Sequence, residues 1–102
     1  MKSKRTKALD LSQKVKQTVW ERDNHCCVIC GSSYNVMPNA HYIPRSKGGL
    51  GIEQNIFTAC TRLTENDCHY KFDEYGIGKD KVKEYFKSKY PNWNENDLYY
   101  RK

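Results

Sequence analysis

The chain has 102 residues, which suffices for one small domain and excludes a multidomain enzyme. Its 18 lysines and arginines against 12 acidic residues leave a net charge of +6, which points to a polyanionic partner, most simply nucleic acid. No apolar run approaches the roughly 20 residues needed to cross a bilayer, so no membrane role is expected.

A core drawn from so short a chain is marginal without a staple. Five cysteines offer one. Their number is odd, and the N-terminus carries no apolar signal segment. The expectation is therefore reduced thiols, a metal rather than disulfides, and a cytoplasmic protein.

Residues 1–8 form a basic arm without apolar periodicity, expected to be mobile until Lys4 and Arg5 meet a phosphate backbone. Leu11 to Arg22 reads as a helix. Leu11, Val15 and Val19 recur at four-residue steps, Asp10 or Ser12 can cap the start, and Asp23-Asn24 ends it. Lys14 lies on another face, available to a DNA backbone. The spacing Cys27-x₂-Cys30 is that of a zinc knuckle, and Gly31 permits the turn that follows. Cys26 could replace Cys27, but the two-residue gap gives the better bite.

Val36 to Ile43 alternates loosely and predicts a first strand; the apolar run Ile56 to Ala59 predicts a second. Between them, three glycines surround Leu50, where they allow an ordinary hairpin loop or the close approach of a backbone or phosphate. A helix from Asn66 or Asp67 to Tyr75 is closed by Gly76. Cys68, Phe72 and Tyr75 share one of its faces, while His69 and Asp73, four residues apart, share another. Asp80 to Tyr90 is a further helix with Val82, Tyr85, Phe86 and Tyr90 on its packing stripe, ended by Pro91. Residues 9–91 then make one domain. Residues 92–102 are a tail that lies across the body or adds an edge strand.

Two cysteine pairs, Cys27 with Cys30 and Cys60 with Cys68, could close a tetrahedral zinc site joining three distant segments. Outside it stand His41, on a strand, and His69 with Asp73, on a helix. Phosphodiester hydrolysis needs a base to activate water and a cation to neutralise charge on the phosphate. A neutral histidine suits the first task near pH 7, and His69 with Asp73 suits the second.

Cys27-x₂-Cys30, then Ala40-His41-Tyr42-Ile43-Pro44-Arg45-Ser46-Lys47-Gly48-Gly49, Asn55-Ile56, Cys60 and Cys68-His69 together resemble the HNH endonuclease family. The likeness is to its small zinc-containing members from phages and from bacterial genomes that carry them. It covers roughly residues 15–76, and the joint motif is far more specific than any fragment. The resemblance implies an α+β fold: a ββα-metal (His-Me finger) core, stapled by a Cys₄ zinc site and flanked by N- and C-terminal helices. It implies that His41 is the general base and that Asn55 braces the loop between the strands. It implies that His69 holds a catalytic divalent ion, with Asp73 one helical turn on, and that Arg45 faces the phosphate. Many members carry aspartate or histidine, a metal ligand, where this chain has Ala40. Asn39 is the candidate substitute, since strand alternation sets it on the side of His41. Water and substrate oxygens would complete a Mg²⁺ or Mn²⁺ shell; Ni²⁺ or Zn²⁺ are further candidates.

The expected activity is thus metal-dependent cleavage or nicking of DNA in a bacterial or phage-infected cell. Lys4, Arg5, Lys14, Arg45 and Lys47 would hold the backbone. One site per chain favours nicking unless two copies act together. Two rivals stand beside it: a zinc-stapled DNA-binding module that has lost catalysis, and a phage accessory protein that partners packaging proteins.

Overall fold

A computed structural model describes residues 9–61 and 67–100. Lys4, Arg5 and the rest of the basic arm lie outside them. The described residues form a small mixed α+β domain with a two-stranded antiparallel sheet and three helices. In chain order these are α1 (Gln13–Arg22), β1 (Val36–His41), β2 (Ile56–Cys60), α2 (Cys68–Tyr75) and α3 (Lys79–Lys89). Two short 3₁₀ turns, Arg45–Lys47 and Glu95–Leu98, complete them. None of the helices is long and apolar enough to cross a membrane.

Of the two candidate caps for α1, Ser12 takes the position: its hydroxyl accepts from the Val15 N–H. The next residue after the helix does more than end it. Asp23 is buried, and its carboxylate accepts from the Arg22 guanidinium (2.7 Å), the Thr58 N–H (2.8 Å) and the Tyr85 hydroxyl (2.6 Å). Arg22 in turn donates to the carbonyls of Glu53 and Ile56 and to the Tyr90 hydroxyl. One ion pair therefore ties α1 to β2 and α3.

The strands pair Val36 with Cys60 and Met37 with Ala59, then Ala40 with Phe57 and His41 with Ile56. Pro38 and Asn39 thus oppose the single residue Thr58, which makes a β-bulge. Pro38 has no N–H to give to the ladder, so the bulge falls where pairing is already broken. All five residues of β2 are buried. Over the sheet, Phe57 meets Phe72 of α2 edge-on at 4.9 Å, and Phe86 of α3 closes the same cluster.

The stripe on α3 buries Val82 and Phe86, while Tyr85 and Tyr90 stay half-buried and send their hydroxyls to the Asp23 and Arg22 network. On α2, Cys68 and Phe72 face inward as expected, but Tyr75 is 69% exposed. It sits at the helix end, where Gly76 in the left-handed region (φ 68°) turns the chain away. The tail lies across the body. Trp93 stacks on Phe86, Leu98 is buried, and the chain bridges the inter-strand loop through Gly49 and Tyr99.

Candidate functional site

The four cysteines Cys27, Cys30, Cys60 and Cys68 converge, all four sulfurs lying within 4.8 Å of one another. The Cys30 and Cys60 sulfurs are 3.8 Å apart. Tetrahedral Zn–S bonds of about 2.3 Å would set sulfurs about 3.8 Å apart, so the cluster fits a metal ion such as zinc. Backbone amides turn toward the sulfurs: Cys30 N–H toward Cys27 (3.4 Å) and Cys68 N–H toward Cys60 (3.2 Å). Gly31, with φ 80°, makes the turn beyond the knuckle. Cys26 points elsewhere, to the Asn24 carbonyl. Burial, with the neighbouring sulfurs adding to it, raises the Cys68 thiol above its ordinary value, and burial raises Cys27 as well. A metal that binds thiolates must therefore displace protons here.

A second constellation lies beside this cluster. His41 and His69 line one open pocket of about 460 Å³ together with Asp73, Arg45 and Lys47. His69 follows directly on Cys68, so the cysteine cluster and this pocket share the start of α2. The His69 Nε2 is 3.2 Å from Asp73 Oδ2. That is the distance of a direct ion pair across one helical turn. Among the described residues no third Cys, His, Asp or Glu joins them in a metal-sized group. Burial raises the Asp73 carboxyl above its usual value, against the pull of the His69 and His41 charges.

The Asn39 backbone lies beside the His41 ring, whose Nε2 is buried without a hydrogen-bond partner. Burial foremost, with the Arg45 and His69 charges adding, lowers the pKa of His41 below the ordinary 6.5. The Asn39 backbone and the Asp73 charge oppose that shift without cancelling it.

Asn55 is fully buried. Its Oδ1 accepts from the Ile43 N–H (2.8 Å), and its Nδ2 donates to the carbonyls of Ile43 (3.2 Å) and Leu50 (2.8 Å). One side chain thus pins both ends of the segment that carries Arg45. The glycines complete the same loop, but the atoms that approach them are the protein's own. A Cβ on Gly49 would collide with the Ile43 carbonyl, and one on Gly51 with the Asp10 carbonyl. Arg45 is half-exposed and its Nη2 donates to Asp10 Oδ1 at 2.6 Å.

Asn39 is not among the residues that line the pocket. It belongs to the bulge, where strict alternation along β1 does not hold, and its Oδ1 is buried without a partner. What it offers His41 is its backbone. Ala40 is fully buried in the core opposite Phe57. Lys14 is exposed on α1 and does not line this pocket. Sequence reading missed what Asp23 and Asp10 hold, because Thr58 and Arg45 lie 35 residues from them and leave no local signal. The chain matches no family model, no curated protein and no solved structure.

Proposed function

We propose that the protein is a metal-dependent DNA endonuclease or nickase of the HNH kind, with β1, β2 and α2 as its ββα-metal core. The observation that carries this reading is the pocket itself. The His41 imidazole shares it with the paired His69 and Asp73 and with Arg45 and Lys47, a base, two candidate cation ligands and two positive charges around one cavity. The motif in the sequence supports the same reading independently.

In this scheme the His41 imidazole takes a proton from the water that attacks phosphorus. Asn55 fixes the loop that carries Arg45, so the guanidinium reaches the phosphate from a defined backbone position. Lys47, on the same turn, adds positive charge to the pocket wall. His69 and Asp73 would hold Mg²⁺ or Mn²⁺, which when bound supplies charge for the pentacovalent phosphate and the departing oxygen. The cysteine cluster would hold zinc as a structural staple and so fix the start of α2, from which His69 projects.

The test is nicking of supercoiled plasmid by the zinc-loaded protein with and without Mg²⁺ or Mn²⁺. His41→Ala should lower the rate by about 10²–10⁴-fold, the range for loss of a general base, with zinc content and circular dichroism unchanged. A variant that cuts like the parent rules His41 out. One observation favours a second reading, a DNA-binding module without catalysis. Ala40 is in the core, and among the described residues no third Cys, His, Asp or Glu joins His69 and Asp73 in a metal-sized group. Salt-sensitive DNA binding without metal-dependent nicking would select it.

A further inference from the structure

We propose that Asp10 is a positioning residue for Arg45, a role that rests on the nuclease reading of the pocket. Asp10 lies outside the residues that carry the HNH resemblance, so the motif gives it no task. It is set in place from two sides. Leu9 is buried, and the Asp10 carbonyl packs so closely on Gly51 that a Cβ there would collide with it. Arg45 is equally fixed at its backbone. Pro44 and Gly48 bound its 3₁₀ turn, the Gly48 N–H donates to the Arg45 carbonyl, and Asn55 pins the chain just before and just after. The ion pair therefore spans two anchored stretches of backbone and biases the guanidinium toward one orientation.

The donor to Asp10 is Arg45 Nη2. The remaining donors of the guanidinium fork are the ones suited to a phosphate in the pocket that Arg45 lines. A lysine-like floppy charge would have to be ordered by each substrate. A guanidinium already oriented by a carboxylate does not, and that saving is realised when the phosphate reaches its transition state. With side chains 49% and 26% exposed, the pair adds little to stability, so its effect should fall on catalysis.

The experiment is a double-mutant cycle on the full chain: Asp10→Ala, Arg45→Ala and both together, with Asp10→Glu as the conservative variant. Plasmid nicking gives kcat and KM, and thermal melting checks the fold. Asp10→Ala should lower kcat by about tenfold while KM moves less than about threefold. Asp10→Glu should recover most of the loss. In the Arg45→Ala background, removing Asp10 should change kcat by less than about twofold. Equal losses in both backgrounds, or a parental kcat in Asp10→Ala, overturn the proposal.

If the parent does not nick DNA, the nuclease reading fails by itself, and the same cycle is read on affinity for a labelled duplex without divalent ions. Loss of a positioned arginine then weakens binding in Asp10→Ala only while Arg45 is present. Simple removal of a negative charge near DNA tightens it instead. Affinity that is unchanged or raised therefore counts against Asp10.

Discussion

His41 is the residue on which pH should act first. Its burial favours the neutral ring, so its pKa lies below the ordinary 6.5. The sign follows: the base form is already dominant at pH 7 and persists into mildly acidic solution. The cleavage rate should rise with pH and reach its plateau near neutrality, with half of the maximal rate reached below pH 6.5. Single-turnover rates, taken only where zinc content is constant, check this; an acid limb centred above that value contradicts the buried-base assignment. Asn55 carries the complementary load on stability. Asn55→Ala strips partners from the buried Ile43 N–H and the Leu50 carbonyl and should cost about 2–3 kcal/mol in urea unfolding. A loss within error of zero would mean that the loop is held by its backbone bonds alone.

At the scale of elements, the strands, the helices and the cysteine convergence were legible because each rests on local pattern or ligand spacing. Ser12 at a cap, Gly31 in the knuckle turn, Gly76 at a helix end and alternating apolar residues all act within a few positions of themselves. The bulge was not legible. Pro38 hinted at a broken ladder, but only the partner strand decides where the extra residue goes, and that decision moved Asn39 off the pocket. The glycines were legible as close approaches, though not as to what approaches. Asp23 was hidden most thoroughly, because its helix-end position already explained it. Its removal should be severe: Asp23→Ala leaves Arg22, whose side chain is 10% exposed, without its carboxylate, and leaves the Thr58 N–H without an acceptor. A loss of about 3–5 kcal/mol is expected, the range for breaking a buried pair on one side. Thermal or urea unfolding of Asp23→Ala measures it, and a cost under about 1 kcal/mol would show that water replaces the carboxylate.

With zinc bound, the cysteine cluster should matter to the whole molecule more than any single packing contact. Its four ligands come from the turn after α1, the end of β2 and the start of α2. A domain of this size has a net stability of about 5–15 kcal/mol, whereas structural zinc binding is worth about 10–16 kcal/mol near neutral pH. The second quantity matches or exceeds the first, so the metal-free chain should not hold its fold. The raised Cys27 and Cys68 thiols give the pH sense: protons compete with the metal, and zinc affinity should fall as pH falls. Zinc removal by a chelator, or Cys68→Ser, should therefore collapse near-ultraviolet dichroism and amide dispersion, and nicking should disappear with them because His69 sits next to Cys68. Readded zinc should restore the chelated parent but not the serine variant. A metal-free protein that keeps its melting temperature would show that the aromatic cluster around Phe57, Phe72 and Phe86 suffices, and that the sulfurs are spectators of the fold.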